Sequence, residues 1–392
     1  MYRILSFVFV LFMFVSCGSG NTGTASKPDS DHAVNVNDTD YADVPDKDSD
    51  EVPDSDENPD PDEISDHDEV SDPDEIPDSD EVSDPDEIPD PDEIPDPDEI
   101  PDPDEVPEEV DDFDGDSIQI RIVAGNITSG NKQSYDPGHG IRIFQALKPD
   151  IALVQEMNYK NNSAGDYKNF AQQIVGTNYY AVDSSDYNIP NGVVSKYPIK
   201  DTGSWKDPNI NDRTLRWAVV DIPGNTDIFA VSVHLKTSDG GKQNAAAKVV
   251  VDEIAKVKSK NPGKYYYVVG GDFNGTSAVS SDGFGRNSTF YVEGPDPVDE
   301  KGYGETNANR NKQYDFVLAD YPLHEFQIPV VYYSSENPEK TKTYENGLVF
   351  DTRVYTQSVL DEYFSPAETG DSGASNMQHM AVVKDFLIEV NK

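Results

Sequence analysis

One repeated unit limits what this chain can fold into. From about Ser71 a six-residue phrase sets in, seen cleanly as PDPDEI from Pro89 to Glu105. Each unit sets one Ile or Val against three acidic residues. Such sequence cannot bury enough apolar surface to offset the entropy of ordering it. Prolines spaced two and four residues apart by turns favour extended, polyproline-like chain, and like charges stretch it further. Between Asp29 and Asp116 there are 42 Asp and Glu residues and one base, Lys47, a net charge of −41. The whole 392-residue chain carries −46. From Ser117 to Lys392, 34 acids meet 27 bases, a net −7, so the overall charge describes the tract and not the part that folds. The tract is expected to be a stiff, disordered spacer. The other reading is a calcium-binding or adhesive segment. Asp112, Asp114 and Asp116 alternate like the start of a calcium loop, yet the twelfth position from Asp112 is Val123, where such a loop needs Glu.

The N-terminus reads as an export signal. Arg3 is its basic region, and Ile4 to Val15 is an apolar run of 12 residues, short of the roughly 20 that span a bilayer. Val15-Ser16-Cys17-Gly18 resembles a bacterial lipobox, with Phe14 where Leu is usual. The resemblance implies that Cys17 is lipidated and holds the protein at the membrane of the cell envelope. An ordinary signal peptide, giving a secreted protein, is the alternative. The expected organisation is a signal peptide over 1–17, a disordered acidic linker over 18–116 and one folded domain over 117–392. Cys17 is the only cysteine, so no internal disulfide can form and stability must come from the core.

The folded part mixes two periodicities. Strands are predicted at Ile118–Ala124, Ile151–Gln155, Ala218–Ile222, Ile228–Leu235, Tyr265–Gly270, Asp315–Ala319 and Met380–Ile388. Several are almost continuously apolar, as in strands covered on both faces. Ser163 and Asp166 form a capping box before Phe170 and Ile174. Ala247, Val250, Ile254 and Val257 share one helical face, and a third helix is predicted from His139 to Leu147, ended by Lys148-Pro149. The pattern points to sheets with helices packed outside them.

Polar residues recur where these strands end. Asn126 follows IRIVAG, Glu156 follows IALVQ, and His234 lies in FAVSVHL. Asp272 and Asn274 follow YYYVVGG, Asp315 opens DFVL, and His379 precedes MAVV. Each alone reads as a turn or cap residue. Six strand ends so marked suggest convergence on one rim.

This set resembles the endonuclease/exonuclease/phosphatase superfamily with the DNase I-like fold, which implies an α+β, four-layer α/β/β/α sandwich of two mixed β-sheets flanked by helices. RIVAGNITSGN resembles its first strand, with Gly125 where Trp is usual. DIALVQEMNY resembles the strand ending in a metal-binding Glu. GVVSKYPI, VSVHL, GGDFN and YDFVL match in order and spacing, over nearly all of Ile118 to Lys392.

The resemblance implies metal-dependent phosphodiester hydrolysis. Glu156 and Asn126 would hold a hard cation, Mg²⁺ or Mn²⁺, with Ca²⁺ a further option. Asp272 would orient and deprotonate water. Asn274, two positions on, would share its face of an extended chain and bind a phosphate oxygen. His379 would serve the scissile phosphate with Asp315 fixing its tautomer, and His234 would be a second imidazole. Arg213 and Arg216 could clamp phosphate, or simply be solvated. Gln378 departs from the family, which carries Asp there, and removes one negative charge. Arg216 stands near a position where DNase I-like nucleases carry a Glu supporting the histidine.

The expected function is an extracellular or surface-tethered nuclease acting as a monomer, with nucleic acid as substrate and no protein partner. Its alternative on the same fold is a phosphatase or phospholipase of inositol phosphate or sphingomyelin type. A non-catalytic surface binding lipoprotein is the alternative of another class. The domain's net −7 offers no strong electrostatic grip on nucleic acid.

Overall fold

The structure, a computed structural model, describes residues 117–184 and 186–390. The expected signal segment with Cys17 and the acidic linker lie outside the described residues. In chain order the elements begin β1 (Ser117–Gly125), α1 (His139–Leu147), β2 (Ile151–Val154), α2 (Ala164–Val175), β3 (Tyr179–Val182), β4 (Gly192–Ser195) and β5 (Ile199–Trp205). They continue with β6 (Leu215–Val220), β7 (Asp227–His234), α3 (Gly240–Lys260), β8 (Tyr265–Asp272), β9 (Asp315–Ala319), α4 (Tyr321–His324) and β10 (Gln327–Ile328). The last are β11 (Val330–Tyr333), β12 (Thr341–Tyr344), β13 (Leu348–Phe350), α5 (Gln357–Tyr363) and β14 (Ala381–Glu389). Among the described residues no helix is long and apolar enough to cross a membrane.

Seven strands make the first sheet, ordered β10-β14-β1-β2-β4-β3 with β13 also on β14; five make the second, ordered β5-β6-β7-β8-β9. Both are mixed: β1–β2 and β7–β8 are parallel, and the other pairs antiparallel. Register in the first sheet is pinned by a buried ion pair. Arg121 and Asp385 face each other across β1 and β14, and Arg121 Nη2 lies 2.7 Å from Asp385 Oδ2. The guanidinium also stacks 4.3 Å from the Tyr332 ring centroid. A one-residue slip would strand both charges, which a buried site does not tolerate.

Alternation along the second sheet sorts its residues into two layers. Leu215, Val219, Phe229, Val231, Tyr267, Val269, Phe316 and Leu318 pack with Ala246, Val250 and Ile254 of α3. Their neighbours Ala218, Val220, Ile228, Ala230, Val268, Val317 and Ala319 belong to the core shared with the first sheet. The helices α1 and α2 pack beside each other, α2 against β3 and β4. The result is the expected four-layer order. At α2 the capping box is complete: Asp166 N–H donates to Ser163 Oγ (3.1 Å) and Ser163 N–H to Asp166 Oδ2 (3.2 Å).

Candidate active site

Strand alternation brings three polar residues to one edge of the second sheet. The inward series of β7 runs Ile228, Ala230, Ser232, His234; that of β8 runs Tyr266, Val268, Gly270, Asp272; that of β9 starts at Asp315. The register sets His234 beside Asp272 and Asp272 beside Asp315. The first sheet supplies the opposite wall. Asn126 comes one residue after β1, Glu156 two after β2, and His379 two before β14.

Glu156 arrives by a different route. Alternation carries Leu153 and Gln155 inward, and the Gln155 amide donates to Ser232 Oγ of the facing sheet (2.9 Å). Glu156 should then point away. A φ of 49° returns it to the site, in a region that non-glycine residues rarely occupy. Asn274 has a φ of 56°, so the expected extended chain after Asp272 does not hold there. Its side-chain amide donates instead to Leu235 O (2.9 Å), and its own N–H donates to Asp272 Oδ1 (2.8 Å).

The buried centre is tightly connected. Asp315 Oδ2 lies 2.7 Å from His379 Nδ1. Asp272 Oδ2 lies 3.4 Å from His379 Nε2 and 3.2 Å from His234 Nε2. Asn126 donates its amide to Glu156 Oε1 (2.9 Å) and its N–H to Asp315 Oδ1 (3.2 Å). Burial opposes a charge on His379, but Asp272 and Asp315 outweigh it and raise its pKa to about 9. Burial, with Arg213 and His379 adding to it, pushes His234 well below the usual range. The two imidazoles are therefore driven to opposite charge states. Burial also lifts Glu156 to about 7 and Asp272 to about 6.

These groups fit a divalent cation. Glu156 Oε2 is a buried carboxylate oxygen without a hydrogen-bond partner. Ligand atoms of Asp272, Asp315 and His379 fall within 4.8 Å of one another. A donor set dominated by oxygen suits a hard ion. It is wider than the expected pair Glu156 and Asn126.

The two arginines part company. Arg213 reaches the site, but its Nε donates to His234 O (2.6 Å) and its Nη2 to Leu235 O (3.2 Å). It clamps the end of β7. Arg216 does not line the cleft; its Nη2 donates to Thr202 Oγ1 (2.8 Å) on β5. The cation beside His234 is thus Arg213, not Arg216. Gln378 lines the cleft, with its main-chain carbonyl accepting from Ala308 N–H (2.7 Å). Arg310 pairs with Asp299 and Asp351.

Thr306 and Tyr314 were not legible as site residues. Thr306 is fully buried; its Oγ1 accepts from Tyr314 N–H (2.9 Å) and Asp315 N–H (2.8 Å), and its carbonyl from Met380 N–H (2.7 Å). It ties Asp315 to the strand that carries His379. The Tyr314 ring lines the cleft 5.8 Å from the His379 ring. No sequence signal marks either, because a lone Thr and Tyr in a loop carry no periodicity.

Residues 133–323 match the model of the Endonuclease/Exonuclease/phosphatase family. Solved structures similar to the chain include an endonuclease/exonuclease/phosphatase from Beutenbergia cavernae (16% identity, TM-score 0.42, covering 69% of this chain and 72% of that one). TDP2 from Caenorhabditis elegans (15%, 0.40, 69% and 74%) and a mannosyl-6-phosphatase from Bacteroides thetaiotaomicron (12%, 0.40, 69% and 99%) are also similar. No curated protein matches the sequence.

Proposed function

We propose that the domain hydrolyses phosphate esters with a divalent cation, Mg²⁺ or Mn²⁺, and that the protein is exported and tethered through Cys17. The observation that carries the reaction is the line Asp315–His379–Asp272, with 2.7 Å and 3.4 Å separations. Asp315 holds the Nδ1 proton of His379, which leaves the Nε2 proton for a phosphate oxygen or the departing oxygen. Asp272 takes the proton of the attacking water. His234, held neutral, donates Nε2–H to Asp272 and keeps its oxygen aimed. Glu156 and Asn126 would hold the cation, which would supply charge stabilisation on the non-bridging oxygens.

Phosphodiesters of nucleic acid and esters of inositol or sphingomyelin type all meet this chemistry. The reaction centre is common to them, so the cleft wall makes the choice. The test is turnover of bis(p-nitrophenyl) phosphate and p-nitrophenyl phosphate by the full chain with Mn²⁺. No turnover of either, or turnover unchanged in Asp272→Ala, removes the hydrolase reading. For the anchor, palmitate label that survives Cys17→Ser rejects the tether.

A further inference from the structure

The wall of the cleft differs in kind from its floor. The floor is ionisable, built of Glu156, Asp272, His234 and His379. Around it, in a cleft of about 430 Å³, the wall carries Gln133, Asn309 and Gln378, whose amide groups make no hydrogen bond among the described residues, together with Thr237 and the Tyr314 ring. All of these are uncharged. Asn307 also lines the cleft, but its side chain is engaged with Asn311 and Lys312. Apart from His379, which faces the reacting phosphate, Arg213 is the one cation in the lining, and Nε, Nη1 and Nη2 each already serve a partner.

A polyanion needs cations beyond the reacting phosphate. Nucleic-acid affinity comes largely from neutralising neighbouring phosphates, and single strands add several stacking aromatics. Beyond His379, the lining offers one tyrosine ring and no uncommitted Lys or Arg, on a domain of net charge −7 joined to a tract of −41. Free carboxamides are both donors and acceptors, which matches the two-way hydrogen bonding of hydroxyl groups. An aromatic face completes a seat for the carbon side of a sugar or cyclitol ring.

Resting on the phosphoesterase reading, we propose that the substrate is an ester carrying a single phosphate on a neutral polyhydroxylated ring, a sugar or a cyclitol. Its ring is held by Gln133, Asn309, Gln378 and Tyr314, and the phosphate sits over the floor.

The test compares rates for the full chain with Mn²⁺ on hexose 6-phosphates, inositol 1-phosphate, phosphatidylinositol vesicles, an inositol hexakisphosphate and a single-stranded oligonucleotide. The expected result is a kcat/KM on one singly phosphorylated ring at least tenfold above the oligonucleotide and the polyphosphate. The soluble esters and the vesicles tell a free substrate from a lipid headgroup. Asn309→Ala and Gln378→Ala should each raise KM for the preferred ester about tenfold with kcat changed less than threefold. Preference for the oligonucleotide or the polyphosphate overturns the inference and leaves the hydrolase reading standing. Unchanged KM in both variants overturns it too. Turnover of none of these, nor of the nitrophenyl esters, removes the hydrolase reading itself.

Discussion

Asp315 and His379 come from different sheets and meet at 2.7 Å. Asp315 opens β9 in the second sheet, and His379 precedes β14 in the first. Their contact joins the two layers at the chemical centre. Asp315→Asn should lower kcat on a nitrophenyl phosphodiester ~100- to 1,000-fold with the fold intact by circular dichroism. The imidazolium also loses a charge partner, so the high-pH limb of the rate profile should move to lower pH. A normal rate would show that His379 needs no orienting carboxylate.

Cation binding should be pH-dependent. Glu156 and Asp272 have pKa values raised to about 7 and about 6, chiefly by burial, while a cation needs the ionised forms. Protons therefore compete as pH falls. Calorimetric Mn²⁺ affinity should weaken steadily from about pH 8 to about pH 5.5, with proton uptake by the buffer on binding. Glu156→Gln should weaken Mn²⁺ binding at least ~10-fold at pH 8. Affinity flat across that range would mean that these carboxylates are not ligands.

Thr306→Val keeps shape and removes a hydroxyl that accepts two backbone N–H bonds. Leaving buried donors unmet costs about 1–3 kcal/mol. Urea unfolding should show that loss, and kcat should fall because Asp315 loses its anchor. A loss of stability with kcat unchanged would make Thr306 a purely structural tie.

The glycine pair before Asp272 is demanded by space. A Cβ on Gly270 would lie 2.8 Å from both Leu153 Cδ1 and Phe316 O. On Gly271, where φ is 133°, it would lie 2.1 Å from Val233 O. Gly270→Ala can be absorbed partly by Leu153 and should cost about 1–3 kcal/mol. Gly271→Ala combines strain with a backbone clash and should cost more. The reverse order in urea midpoints would refute this account.

Lys384 borders a small cavity between the sheets, lined by Val317, Val349 and Val382, with Asp296 as its acid neighbour. Burial depresses its pKa to about 8 from 10.5. Between these values the unfolded chain holds the proton and the folded chain does not, so this group's contribution to stability rises with pH. Lys384→Met should therefore stabilise at pH 7, on the order of 1–3 kcal/mol. The advantage should shrink as pH rises from about 8 to about 10.5. A gain constant across that window would place the amine in water.

The sequence is most readable where period and punctuation agree. The helix from His139 to Leu147 has the bounds that its apolar spacing and following Lys148-Pro149 predict. The β strand Asp315–Ala319 matches residue for residue. The strand expected at Ala218–Ile222 is Leu215–Val220, its extent matching its pairing with β5 from Leu215 opposite Trp205 to Val220 opposite Ile199. The strands β3, β5 and β10 to β13 and the helices α4 and α5 went unread, most of them two to four residues long and without a sustained apolar run. At the site, alternation explains why His234, Asp272 and Asp315 share a face. It misplaces Glu156, whose positive φ no residue type signals, and Asn274, where Asn before Gly275 does favour the left-handed turn that takes it off the strand face. Arg213 is similar: its guanidinium could seek phosphate, and the main-chain carbonyls of His234 and Leu235 claim it.

The pairing of Ser117 with Glu389 sets the first residue of β1 beside the last of β14. The site lies past the other ends of these strands, at Asn126 and His379. Nine residues of extended chain separate Ser117 from Asn126, about 30 Å at 3.3 Å per residue. Whatever chain precedes Ser117 thus joins the domain at the pole opposite the cleft.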